Sequence, residues 1–474
     1  MSGTGPKIVL PARYADEIKN IPSLSLMKAF APDFFINYPG FEGHKQSYHD
    51  DKLIQDTVRI KLTQSLGLVT EDLVDETVDS INCAIGQHPE WTSRNLKDDM
   101  TEIVARLSSR VFLGLPLCRN ERWLKISKAY TMDTFIVAHV MRLVPSIARP
   151  IAYWFIPQSA TLRKAVRDAH KLIDPEVQRR IDKVRQAQAA GQKPPKVADS
   201  LGWMYQVATK PDTDYVAAQL ALTMAAIHTT TETSSAALLD LCEYPEVAEK
   251  LRSEVIQVIG EHGWSKTALY KLTLMDSFLK ESQRVRPMSI TSMNRYVEQQ
   301  VTLSDGTVLP KGSRLMIAAN FMDPEVYDEP EKFDAERFVK KRQESGQENS
   351  WQLATTTPEY TLFGHGQHAC PGRFFAINEL KVLLCHLLLK YEWRFNPEKG
   401  RMSPRFIANT KAIAGETEIQ YDGSHHSSPN VPTLEACLYR CLAFSCDTVP
   451  KAASIDCSSY HIKGNGICVH TLDR

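Results

Sequence analysis

The segment FGHGQHACPGRFFA, Phe363 to Ala376, constrains this 474-residue chain more than any other. Its fixed points are Phe363, Gly366, Cys370 and Gly372, in the spacing F-x-x-G-x-x-x-C-x-G. At average residue frequencies those four positions coincide by chance in about one chain per thousand of this length. Glycines at 364, 366 and 372 are expected to let the backbone turn tightly and come close to a ligand. Backbone N–H groups beyond Cys370, and the N-terminus of the apolar helix predicted for FFAINELKVLLCHLLLKY, would stabilise a negative sulfur. A cysteine so placed reads as a thiolate ligand, against the commoner fate of an isolated cysteine as a small buried apolar group.

Two further segments stand out upstream. Glu281-Ser282-Gln283-Arg284 lies on a helix predicted for Leu274 to Val285, which stops before Pro287. An E-x-x-R quartet alone arises about once by chance in a chain this long, so it carries weight only in company. A longer helix is predicted from about Asp214 to Glu243, with Thr213 and Asp214 as capping candidates. Its middle reads Ala225-Ala226-Ile227-His228-Thr229-Thr230. Threonines are poor helix formers whose hydroxyls bond back to the i−4 carbonyl, so a local opening of the helix is expected there.

Around these segments the pattern is mainly helical from about Thr57 to Val285. Short strands follow from Met288 to Met316, with Asp305-Gly306 as a hairpin turn and Glu329 to Ser350 as a polar surface meander. Lys plus Arg equals Asp plus Glu, at 56 each, which removes the basic excess that nucleic-acid binding requires. Small molecules are the expected partners. The most apolar stretch, Phe135 to Pro157, is interrupted by Arg142, Pro145, Arg149 and Pro150, and reads as a helix pair rather than a membrane span.

The set of Cys370, the E-x-x-R quartet, the Phe333–Phe338 segment FDAERF and the threonine helix resembles the cytochrome P450 superfamily, in their order and spacing. Phrases such as LPARYADEIKN, YPGFEG and IVARLSSRVFLG are similar to fungal members that oxidise terpenoid and related secondary metabolites, the ent-kaurene-oxidase-like type. The resemblance covers about Pro6 to Tyr421 and implies a mainly α P450 fold with small β-sheets. It implies haem b with Cys370 as axial thiolate to iron, which favours O–O cleavage. Arg337 is implied as the third member of a structural triad with Glu281 and Arg284. Thr229 falls on the threonine of the oxygen-binding motif. His228 replaces that motif's acid and Ala226 its glycine. His228 reads either as a proton carrier or as a core histidine. Propionate contacts are implied for His368 and Arg295, and for Arg59 as a weaker third that could equally be a surface charge. The resemblance also implies O2, an apolar substrate, electrons from NADPH through cytochrome P450 reductase, and the cytosolic face of the endoplasmic reticulum with peripheral membrane contact. Alternatives of another kind are a haem isomerase or dehydratase, and an inactive truncated P450 acting only as a binding protein.

The two ends depart from that pattern. MSGTGPKIVLPARYADEIKN contains no apolar run, so the chain is expected to lack the family's membrane anchor, its proline-rich linker and the first helix and strands, leaving sheet edges exposed. Residues 422–474 hold five of the ten cysteines, Cys437, Cys441, Cys446, Cys457 and Cys468, and weakly resemble a PAN/apple-type module. An odd number cannot all pair within one chain, and the preferred reading is sequence unrelated to the 1–421 haem domain.

Overall fold

The computed structural model describes residues 5–423, apart from 50, 89, 195, 408 and 409. The cysteine-rich extension, from residue 424 on, lies outside the described residues.

The fold is organised around the helix Tyr215–Glu243, hereafter the central helix. Asp214 starts it, its side chain accepting the Ala217 N–H at 2.8 Å. It is buried on nearly every side from Val216 to Leu241, as a helix enclosed by others must be. The helices Leu96–Leu113, Glu121–Leu143, Pro157–Ala189, Thr273–Val285 and Arg373–Lys390 all pack on it. The expected opening at the threonine run is absent, and the helix is continuous throughout. The hydroxyls instead bond back along the helix, from Thr229 Oγ1 to the Ala225 carbonyl at 2.8 Å and from Thr233 Oγ1 to the Thr229 carbonyl at 2.9 Å. An irregular turn does occur elsewhere, as a π-helical segment at Thr57–Leu62.

Among the described residues, four small sheets lie beside the helices. The largest has the strand order Ile8–Leu10, Arg314–Ala318, Thr291–Val297, Leu24–Ser25, with the first pair parallel and the others antiparallel. Ile8–Leu10 is an end strand of that sheet, and its Val9 is 55% exposed. Val301–Thr302 and Val308–Leu309 form the predicted hairpin, with Gly306 at φ +85°. The Phe135–Pro157 stretch is a helix pair, Glu121–Leu143 and Arg149–Phe155. No helix among the described residues is long and apolar enough to cross a membrane.

The helix Arg373–Lys390 runs from the cysteine loop into the core, and twelve of its residues are buried. One of them is Glu379. Its Oε1 accepts a hydrogen bond from Ser108 Oγ at 2.8 Å, and burial pushes its carboxyl up to about 8 from an ordinary 4.5. Between those two values the folded chain holds a proton that the unfolded chain has released. The stability contribution is therefore complete below the lower value and is lost as pH rises through the upper one. Glu379→Gln should flatten that slope: melting temperatures of the variant should change less than the wild type's between pH 5 and 8. Parallel profiles would mean that Glu379 is ionised in the fold.

Candidate haem-thiolate site

The cysteine loop owes its shape to two glycines and to the N-terminal segment beneath it. Gly364 and Gly366 sit at φ +70° and +73°, which disfavours any residue with a Cβ. A Cβ at Gly366 would lie 2.5 Å from Lys19 Cβ. Gly372 does not behave as expected: its φ is −87°, and a Cβ there would meet only Val58, at an ordinary 3.7 Å. The Cys370 N–H donates to the Phe363 carbonyl at 2.7 Å, which closes the loop on itself. Asn20 Oδ1 accepts the Gln367 N–H at 2.9 Å, and His365 Nε2 lies 2.9 Å from Asp16 Oδ1. His365 Nδ1 is 3.2 Å from Thr356 Oγ1.

The half-buried Cys370 sulfur lies where opposing effects meet. Burial pushes its thiol up, while the N–H groups of Gly372 and Arg373 and the Arg373 charge pull it down. Arg373 is fixed by the Cys370 carbonyl at 2.9 Å and the Ala354 carbonyl at 3.0 Å. Arg59, exposed on the π-helical segment, is close enough to Arg373 to disfavour its charge.

Arg295 and His368 form the second part. A bulge between Ser292 and Arg295, with Met293 at φ +52°, turns the strand just before Arg295. Arg295 is 1% exposed, yet among the described residues its Nε and Nη2 have no hydrogen-bond partner and Nη1 reaches only the Asn294 carbonyl, at 2.9 Å. Burial lowers its pKa to about 10. Burial and the Arg295 charge also lower that of the half-buried His368. A buried guanidinium without a carboxylate fits an anionic ligand. The haem propionates are groups of that kind, and the residues present fit haem.

On the central helix, Ala225 and Thr229 are exposed one turn apart while most neighbours are buried. His228 packs against Phe135, ring centroids 5.4 Å apart. Burial lowers its pKa, with Glu232 acting upward and Lys97 downward.

The structure brings Glu281, Arg284 and Arg337 into one cluster. Arg284 is bidentate to Glu281, with both contacts at 2.8 Å. Arg337 Nε reaches the same carboxylate at 3.1 and 3.2 Å. One carboxylate against two guanidinium groups leaves a buried positive charge. The carbonyls of Phe321, Asp328, Glu329, Pro330 and Lys332 absorb it.

Sequence reasoning missed Lys280, which precedes the quartet. Fully buried, it donates to the Gln352 carbonyl at 2.9 Å and sits 3.9 Å from the Tyr360 ring centroid, and burial pulls its pKa down to about 7. It also missed Arg373, although that residue lies inside the quoted motif, and the part played by Asp16 and Asn20.

The helical fold, the Cys370 loop and the neighbouring Arg295 fit a protein built to hold a thiolate-ligated cofactor. A family model described as cytochrome P450 matches residues 48–413. The chain is 45% identical over 414 residues to cytochrome P450 monooxygenase bsc2 of Alternaria brassicicola, covering 86% of this chain and 79% of that one. It is 41% identical over 422 residues to bsc11 of the same organism, covering 88% and 82%. Cytochrome P450 monooxygenase 1 of Gibberella fujikuroi is 40% identical over 409 residues, covering 85% and 92%. The chain belongs to the cytochrome P450 family, whose members carry a haem with a cysteine thiolate on iron.

Removing Arg337 should leave the Glu281–Arg284 pair neutral but take one donor from the carboxylate and uncover the buried carbonyls of Asp328 and Glu329. Arg337→Ala is expected to lower stability by about 2–5 kcal/mol, the cost of leaving those acceptors unmet, read as a lower urea midpoint. Arg337→Lys should recover less than half of that, because a point ammonium cannot span the same acceptors. Full recovery would show that charge alone matters.

Proposed function

We propose that this chain is a monooxygenase that inserts one oxygen atom of O2 into a C–H bond of an apolar small molecule, a terpenoid or related secondary metabolite. The balance is substrate, O2, two electrons and two protons giving hydroxylated product and water, with the electrons from NADPH through cytochrome P450 reductase. The observation that carries the reading is the loop that presents the Cys370 sulfur to backbone N–H groups, together with the unneutralised Arg295.

Haem b bound there would supply the reduction and cleavage of O2, with Cys370 as the residue that would hold its iron. Arg295, His368 and Arg59 would hold its propionates. Thr229 Oγ1, anchored by its bond to the Ala225 carbonyl, keeps lone pairs free to accept and pass a proton. His228 brings that proton from the protein side. Phe135 and the exposed Ala225 support an apolar substrate wall. The resemblance to fungal terpenoid oxidases supports the substrate class. Beyond Phe135 the surface is strongly apolar: Leu143, Ile147, Ile151, Trp154 and Phe155 are all more than half exposed. Such a patch supports resting on a membrane, at the cytosolic face of the endoplasmic reticulum.

Two experiments test the reading. Reduced, CO-bound protein should show the Soret band of a thiolate-ligated haem, and Cys370→Ala should lose it. A wild-type band without thiolate character ends the assignment, as does product that carries no label from 18O2. Arg295→Met should release haem to a scavenger globin about tenfold faster or more, the equivalent of one lost charge-assisted contact. An unchanged release rate would remove Arg295 from the cofactor site.

A further inference from the structure

Between the C-terminal half of the helix Pro157–Ala189 and the helix Ser200–Val207 lies a cleft of about 480 Å³. Small-molecule pockets occur at that size. Val177, Ile181 and Val184 recur on one face of the first helix and form one wall. Leu201 and Tyr205 of the second helix, with Tyr215 at the start of the central helix, form the other. The Tyr205 and Tyr215 ring centroids are 6.4 Å apart.

Contacts within the protein fix the segment 196–199 that borders this cleft. Arg180 reaches Asp199 at 2.5 Å, Glu176 at 2.6 Å and the Leu113 carbonyl at 3.1 Å. Asp199 in turn caps the Ser200–Val207 helix, accepting the Gly202 N–H at 3.0 Å. Trp203 Nε1 donates to the Val197 carbonyl at 3.1 Å. The Val197 side chain seats on Gly202, where a Cβ would overlap it. The cleft is thus held open by the fold itself.

Its charge is one-sided. Arg179, Arg180, Lys183 and Lys196 border it, against the single acid Asp199. Arg179 is paired with Glu176, and Arg180 with Glu176 and Asp199. Among the described residues, neither Lys183 nor Lys196 is ion-paired, and the Tyr205 and Tyr215 hydroxyls make no hydrogen bond. Two ammonium groups and two phenols therefore stand spare beside apolar walls.

The cleft is remote from the other sites. Tyr215 stands about 20 Å from Thr229 along the central helix. Val177 and Val184 lie about 30–40 Å along their helix from Pro157, next to which the exposed apolar residues of 147–155 begin. That distance favours a ligand free in solution over a lipid headgroup.

We propose that this cleft binds an apolar carboxylic acid, its chain between the two helix faces and its carboxylate against Lys183 and Lys196. A neutral apolar molecule leaves both ammonium groups unanswered, and a small hydrophilic anion leaves the apolar walls wet. The site is separate from the cysteine loop and does not depend on the function proposed there.

The test uses holoenzyme whose haem iron carries an azole, so that the pocket over the haem is filled. A photoreactive diazirine analogue of dodecanoate is irradiated with it, and labelled peptides are mapped by mass spectrometry. Label should fall on residues 177–188 and 200–206, and dodecanoate should compete at least tenfold better than dodecanol. Val184→Trp, which fills the cleft, should remove that label. Lys183→Glu with Lys196→Glu should weaken competition by dodecanoate about tenfold, the equivalent of one charge-assisted contact, and leave dodecanol unchanged. Label confined to other segments, or label that survives Val184→Trp, overturns the site. Equal competition by the alcohol, or an unchanged response in the double lysine variant, overturns the anionic ligand. Should Val184→Trp fail to fold, the lysine variant decides, because both lysines are exposed.

Discussion

The architecture depends on how the Glu281 carboxylate is shared. It takes two guanidinium groups in a fully buried place, and the surplus positive charge is spread over five backbone carbonyls. Those carbonyls belong to the irregular stretch Phe321–Lys332, which has almost no helix or strand of its own. A segment like that has no ladder of internal hydrogen bonds, so its buried acceptors must be met from elsewhere. Arg284 and Arg337 meet them. One ion cluster therefore gives a structureless stretch a single conformation, and Lys280 does the same for the carbonyl of Gln352 further along.

Arg295 makes an instructive contrast. Both it and the triad bury arginine almost completely, but only the triad contains its own anion. Burial of an unpaired charge costs several kcal/mol. Arg295, next to a second potential cation in His368, therefore suits an anionic partner. That asymmetry is the physical ground for reading one cluster as structural and the other as a binding element.

Much of this was legible in the sequence because the chemistry is local. Cys370, Gly364 and Gly366 act within one short loop, and Glu281 with Arg284 within one helical turn, so spacing alone exposes them. The long helices and the Asp305-Gly306 hairpin follow from periodicity and turn chemistry. Glu232 and Asn20 were illegible for the opposite reason, since their partners are Ile413 and Gln367, far away along the chain. The opening expected at the threonine run was a local inference overridden by tertiary packing. The central helix packs against five other helices and stays continuous, and its hydroxyls bond back onto their own carbonyls. Gly372 departs from the expectation in another way: its φ is ordinary, and a Cβ there would meet only Val58 at 3.7 Å.

The dependence of the cysteine loop on residues 16–20 ties cofactor geometry to the N-terminal segment. The strand Ile8–Leu10 lies parallel to Arg314–Ala318, and that pairing delivers Asp16, Lys19 and Asn20 beneath the loop. The middle strand of the same sheet, Thr291–Val297, carries Arg295 on its bulge. A single four-stranded sheet therefore positions both the segment beneath the cysteine loop and the Arg295 guanidinium.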